Sequence, residues 1–286
     1  ETFINYRIIP VIPEHGAVGT SGDLVQLAHI ALALIGEGEV FYQSKRQSTV
    51  AVIKKLGIKP HQLRPKEGLA LINGTSVMSA IASIIIDRAA NLLETEILLG
   101  ALSLELVHGF KDSIAKELHQ LRPHRGQLYV AEKLRTILAS SKLLRSREAL
   151  VSNHNGIDPV QKTANAVQEV YSLRCLAQIL GPIYEAIETA HKIVAIEINS
   201  ATDNPIVDWV NKEFLHGGNF HGDYVAYAVD QLKMTLVKLS ILSERRINFF
   251  LNSEVNKSFP PFLNLEKPGL TLALQGLQFV ATSTTA

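Results

Sequence analysis

Two hydroxyls, a carboxylate and several glycines crowd into His15–Leu24, "HGAVGTSGDL", just before the apolar run "VQLAHIALAL". Thr20 and Asp23 stand three apart at the head of a helical pattern, Leu24, Leu27, Ala28, Ala31 and Leu32. That is a capping-box-like spacing with Asp in place of the usual Glu. Gly16, Gly19 and Gly22 then serve as turn residues. The alternative is that Ser21, set between Thr20 and Gly22, does chemistry. The glycines do not make a phosphate loop, because no Gly-Lys-Ser/Thr follows.

Other polar residues stand out against apolar surroundings. Asn73 and Gly74 interrupt "ALINGTSV". Gln168, Tyr171 and Arg174 recur at steps of three, which on a helix of about 100° per residue sets them along one face. Arg174 there either grips a substrate carboxylate through its planar fork or pairs with an acid on another helix. Asn204 in "ATDNP" and Phe220 in "GGNFHGD" read as turn and packing residues. The pairs His216/His221 and His119/His124 lack a helical i, i+4 register and a carboxylate in a known ligand pattern, so no metal site is expected. Cys175 lies in "SLRCLAQ" and reads as a small hydrophobe inside a helix.

These residues need long elements to position them. Stretches 75–110, 158–199 and 222–252 carry apolar residues around most of a helical circumference, the pattern of helices covered on more than one side. Gly181-Pro182 predicts a kink or break in the second. Lengths beyond about 25 residues without heptads or repeats point to a mainly α, long-helix bundle, completed by other subunits. Strand signals are small: a ribbon over 38–43 and 46–53, and a hairpin over 205–218 turning at Asn211-Lys212. Residues 140–160 read as an exposed loop.

Composition narrows the class. The chain has 286 residues, 47% hydrophobic and 19% charged, with net charge +1. That balance gives no support to nucleic-acid or membrane-surface binding. The opening "ETFINYRIIP" lacks the basic start and apolar core of a signal peptide. No run of 18 uncharged apolar residues occurs, so no membrane span is expected. One cysteine permits no intrachain disulfide, which fits a cytoplasmic protein. Both ends read as cut.

Taken in order, "GAVGTSGDLVQLAH", "LALINGTS", "VQEVYSLRC", "SATDNPIV" and "HGGNFHGDYVA" resemble the aromatic amino-acid ammonia-lyases, a family of histidine, phenylalanine and tyrosine ammonia-lyases and related aminomutases. The wording of "VQEVYSLRC…ILGPIYE" and "PPFLNLEKPGL…GLQFVATSTTA" looks closest to bacterial tyrosine ammonia-lyases of the Bacteroidetes type. The resemblance covers essentially all 286 residues. It implies the helical fold of the fumarase/aspartase-like superfamily, a homotetramer, and a carbon–nitrogen lyase acting on a small-molecule aromatic amino acid. It also implies that residues 1–286 are the central part of one such domain, with a catalytic loop at 15–24 and the helical bundle at 75–286. N- and C-terminal parts would be missing, so these residues would not turn over substrate alone.

In that family an Xaa-Ser-Gly triplet cyclises into 4-methylidene-imidazol-5-one (MIO), an electrophile made from the chain, with no external cofactor. Here the triplet is Thr20-Ser21-Gly22, with Thr where Ala is commonest. Gly22 gives the backbone its tight geometry, Ser21 loses the hydroxyl that becomes the methylidene, and Asp23 positions the loop. By the same resemblance Arg174, helped by Asn204, binds the substrate carboxylate, and Asn73 and Gln168 hydrogen-bond near the MIO and the amine. Tyr171 assists proton handling, and Phe220 walls the aromatic pocket. The family's basic tyrosine and its ring-selective pair match nothing in residues 1–286. Those two elements would set the substrate; the wording that resembles bacterial tyrosine ammonia-lyases is what makes tyrosine the favoured substrate, with phenylalanine beside it. Histidine with urocanate as product, an aminomutase, and a non-catalytic helical scaffold are the alternatives.

Overall fold

The three apolar stretches fold as helices Ser76–Leu106, Leu176–Glu197 and Asp223–Leu251, and the fold is mainly helical with short antiparallel strand pairs. The computed structural model describes residues 1–147, 168–267 and 269–286. The expected exposed loop at 140–160 therefore lies mostly outside the described residues, as does the start of the 158–199 stretch. The chain divides into two units, Glu1–Ile85 with Ala190–Val229 and Ile86–Thr189 with Asp230–Ala286.

In the first unit, strands Ile9–Pro10, Glu39–Tyr42 and Lys45–Ser48 form an antiparallel sheet in that order. Val40 lies fully buried beside Ile8, Ala33 and Val52, with Phe3, Tyr42 and Leu56 around them. The expected strand over 46–53 is corrected: pairing stops at Ser48, and Thr49–Leu56 is a helix. Thr49, Val52 and Ile53 are its buried residues, a helical spacing, so burial of that face overrides the strand preference of its β-branched side chains. Gly57 closes the helix at φ 67°. The second sheet is the expected hairpin, Ile206–Asp208 with Glu213–Leu215. The Asp208 carboxylate accepts the N–H groups of Val210 and Asn211 across its turn, which holds its pKa below the usual range.

Helix Ser76–Leu106 ends in a Schellman turn: His108 sits at φ 50°, and the Gly109 N–H reaches the Leu104 carbonyl at 2.8 Å. By length and composition alone this helix is apolar enough to cross a bilayer, a test that core helices of globular proteins also pass. Asp87, Arg88, Glu94 and Glu96 nevertheless punctuate it. Glu96 is buried and ion-paired with Arg246 in the second unit, with Ser243 donating to the same carboxylate, as befits a helix packed among helices. Burial lowers the Arg246 pKa against the pull of Glu96.

The second unit is helical. Helix Arg125–Ile137 meets Leu176–Glu197 so closely that a Cβ on Gly126 would come within 2.0 Å of the Gly181 carbonyl oxygen. The helix runs through Pro182 without a break, one long helix rather than two in line. The interruption lies at Cys175 (φ −102°, ψ 20°), between the single turn Tyr171–Arg174 and the helix proper. Cys175 is thus half-buried at a junction rather than inside a helix. Many large apolar side chains stay exposed, among them Leu98, Leu102, Met234 and Val237.

Candidate active site

The loop before helix Leu24–Leu34 is tied to "ING" by backbone. Gly22 and Gly74 form a parallel bridge; the Asp23 N–H donates to the Gly74 carbonyl at 2.8 Å, and the Gly74 N–H to the Ser21 carbonyl at 3.3 Å. Ser21 and Gly22 take φ 49° and 71°, the left-handed region where only glycine is unstrained. A Cβ on Gly22 would lie 2.1 Å from the Gly74 oxygen and 3.1 Å from the Phe220 carbonyl oxygen. A Cβ on Gly74, at φ 146°, would meet the Thr202 carbonyl oxygen at 2.3 Å. Backbone from four chain segments, at Gly22, Gly74, Thr202 and Phe220, thus meets here, with no room for a side chain on either glycine.

Asp23 caps a helix, but not the one expected. It precedes Leu24–Leu34 without a side-chain cap bond to it. Its carboxylate instead accepts the N–H groups of Val77 and Met78, at 2.9 and 2.8 Å, in the first turn of Ser76–Leu106. The backbone bridge at Gly22 turns the carboxylate toward that second helix, which corrects the capping-box reading. Burial raises the Asp23 pKa, and the two N–H groups oppose the shift.

Asn73 is buried beside this bridge, 6% exposed. Its amide nitrogen donates to the Asp203 carboxylate at 3.0 Å and the Asn204 carbonyl at 3.3 Å. Its oxygen has no partner among the described residues. Asn204 is held in turn, its side-chain oxygen accepting the Gly217 N–H at 2.7 Å. Lys66 pairs with Asp203. Reading the sequence passed over both Lys66 and Asp203; the one available signal was an acid adjoining Asn204 in "ATDNP".

The first unit therefore gathers Thr20, Ser21, Gly22, Asn73, Asn204 and Phe220, the last half-buried with its carbonyl beside Gly22. Gln168, Tyr171 and Arg174 belong to the second unit. There the Arg174 guanidinium lies over the Tyr171 ring, 4.7 Å from its centre. Its buried Nε has no partner among the described residues, and the expected pairing with an acid on another helix is not among the ion pairs described. Tyr171 is exposed and borders an apolar cavity of about 670 Å³ with Ile183, Leu242 and Phe249. Gln168 is exposed in a bend before the turn, so the expected helical face stops at Tyr171. Of the histidines, His119 is fully buried between the Ser113 carbonyl and Gln127, and His221 faces Asp223 at 3.6 Å.

The residues present fit the prosthetic group that the triplet suggests. The space at Gly22 admits no side chain, the Ser21 backbone is already turned, and an acceptor oxygen stands unused on Asn73 next to the bridge.

Comparison with known proteins finds relatives along almost the whole chain. The chain is 39% identical over 285 residues to a tyrosine 2,3-aminomutase from Chondromyces crocatus, covering 98% of this chain and 54% of that protein. It is 39% identical over 281 residues to a histidine ammonia-lyase from Geobacillus thermodenitrificans, covering 98% and 52%. Among solved structures it superposes on a tyrosine aminomutase from Streptomyces globisporus with a TM-score of 0.92 at 37% identity, over 99% of this chain and 54% of that one. The chain thus spans about half the length of the relatives it matches. The model of the family described as aromatic amino acid lyase matches residues 1–286 throughout, and the chain belongs to that family.

Proposed function

We propose that the chain is the part of an MIO-dependent ammonia-lyase that carries the electrophile, and that the enzyme removes ammonia from an aromatic L-amino acid, tyrosine foremost, to give a trans-arylacrylate. One observation carries the reading: the interlocked backbone at Gly22 and Gly74 holds Ser21 in a left-handed turn, and Asn73, next in the chain to Gly74, has a buried side-chain oxygen with no partner among the described residues. For ring closure the Gly22 nitrogen bonds to the Thr20 carbonyl carbon; that carbonyl oxygen leaves as water with the Gly22 and Ser21 amide hydrogens, and the Ser21 nitrogen becomes doubly bonded to the Thr20 carbon. Ser21 then loses its hydroxyl and its α-hydrogen as a second water. The Thr20 side chain stays outside the ring.

The group supplies an electrophile that makes the amine a better leaving group, which the weak acidity of the β-proton demands. The chain's own residues do the rest. Asn73 offers its oxygen to an N–H at the reacting centre. Arg174, already stacked on Tyr171, presents its fork to the carboxylate, and Asn204 assists in binding it. Tyr171 handles a proton, Gln168 hydrogen-bonds the amine, and Phe220 lines the ring pocket. Assembly as a homotetramer would bring Tyr171 and Arg174 to a triplet loop and cover the exposed apolar side chains of the long helices. A cytoplasmic location belongs to the same reading.

The test is to give the intact protein tyrosine, phenylalanine and histidine separately, following coumarate, cinnamate and urocanate by ultraviolet absorbance and β-amino acids by chromatography. Coumarate from tyrosine is expected. Urocanate from histidine, or a β-amino acid, would move the assignment to the histidine lyases or the aminomutases, both represented among the relatives. No product from any of the three would overturn the reading in favour of a scaffold.

A further inference from the structure

We infer that Asp203 is a positioning residue: it fixes the Asn73 amide so that its oxygen alone faces the reacting centre. The inference rests on the functional reading above. An amide side chain can turn over and exchange oxygen for nitrogen at little cost unless its neighbours forbid it. Here they forbid it. The two groups against Asn73 Nδ2 are the Asp203 carboxylate and the Asn204 carbonyl, both acceptors. The end facing them must be the NH₂, and both its hydrogens are used. What remains is a buried oxygen without a donor, next in the chain to Gly74, whose N–H binds the Ser21 carbonyl. A buried acceptor left empty costs free energy, so it awaits a donor, the amine of the substrate.

Asp203 is itself held from two sides. One carboxylate oxygen accepts the Asn204 N–H at 2.7 Å as well as Asn73, and the other pairs with Lys66. Lys66 stands at φ 73° immediately before helix Glu67–Ile72, which leads into Asn73. The chain therefore returns on itself, with the residue before the helix and the residue after it both bound to one carboxylate. A plain turn aspartate would satisfy Asn204 alone; the bonds to Asn73 and Lys66 are what a positioning role adds.

A double-mutant cycle in the intact enzyme separates the two. Wild type, Asp203→Ala, Asn73→Ala and the double variant are compared for kcat, KM and the fraction of protein lacking two waters by mass spectrometry. If Asp203 acts through Asn73, Asp203→Ala lowers kcat about a hundredfold, the scale of a misplaced catalytic group. KM and the two-water loss change little, and the double variant is no slower than Asn73→Ala. Asp203→Asn keeps an acceptor oxygen and recovers much of the rate. Asp203→Ser takes the place of Asp203→Ala if that protein does not fold. Rate losses that multiply in the double variant, unchanged turnover in Asp203→Ala, or failure of the triplet to cyclise in it would overturn the inference alone. A wild type without turnover on any aromatic amino acid would bring down the functional reading and this inference together.

Discussion

Gly22 lies so near Gly74 that a methyl group on its α-carbon would stand 2.1 Å from the Gly74 carbonyl oxygen. The obstacle is backbone, which cannot swing aside as a side chain end can. Gly22→Ala, also strained by φ 71°, must separate the loop from "ING" and so disturb Ser21 and Asn73 together. Turnover should be abolished and the two-water mass loss prevented, while helical content by circular dichroism stays near wild type. A Gly22→Ala protein that still loses both waters would show that the interlock is not needed for ring closure.

Asp23 joins the same loop to helix Ser76–Leu106 through the N–H groups of Val77 and Met78. Asp23→Ala leaves both donors bare at a helix start and should cost about 0.5–2 kcal/mol of stability, the usual range for a lost N-cap. Asp23→Asn retains an acceptor and should cost less. Urea unfolding of the three proteins checks the order; equal stability would mean the cap contributes nothing.

The Arg174 guanidinium rests over the Tyr171 ring at 4.7 Å. Arg174→Lys keeps the charge and loses the planar fork and the stack. Steady-state rates should fall about ten- to hundredfold, as expected for losing a charged hydrogen bond of roughly 1.5–3 kcal/mol, with Tm little changed. A large fall in Tm at unchanged turnover per folded molecule would make the arginine a packing residue.

His119 is fully buried with both ring nitrogens hydrogen-bonded. Its Nε2–H donates to the Ser113 carbonyl at 3.1 Å, and Nδ1 accepts from Gln127 at 3.0 Å. Burial, with the nearby Arg135 charge, pushes its pKa below 6.5. On acidification the unfolded chain takes the proton first, so the stability His119 contributes is present above about pH 6.5 and lost below it, by up to about 1.4 kcal/mol per pH unit. Between pH 7.5 and 5.0 the wild type should lose more unfolding free energy in urea than His119→Gln. Equal losses would show that His119 is protonated in the fold.

What the sequence made legible was set by range. The long helices were readable because apolar residues recur at helical spacing, and the Ile206–Leu215 hairpin because its turn residues announce it. Strand and helix at Ser48/Thr49 were confused because "STVAVI" suits both periods over so few residues. At Pro182 the sequence left one bent helix or two in line, and the structure has a single helix, Leu176–Glu197. Thr20, Ser21 and Gly22 were recognisable as a motif, but the partner of Asp23 was not, since Val77 and Met78 lie more than fifty residues on. Asp203 and Lys66 were missed for the same reason, because their value lies in a pairing across 137 positions.

The central claim is that Thr20-Ser21-Gly22 becomes the electrophile, and the mass of the intact protein tests it most directly. The wild type should be lighter than its sequence by two waters, and a peptide containing residues 20–22 should carry the whole deficit. Ser21→Ala, which has no hydroxyl to lose, should not show the two-water deficit and should have lost turnover. A wild-type protein at its full sequence mass that still forms an arylacrylate, or a Ser21→Ala protein as active as wild type, would contradict the account.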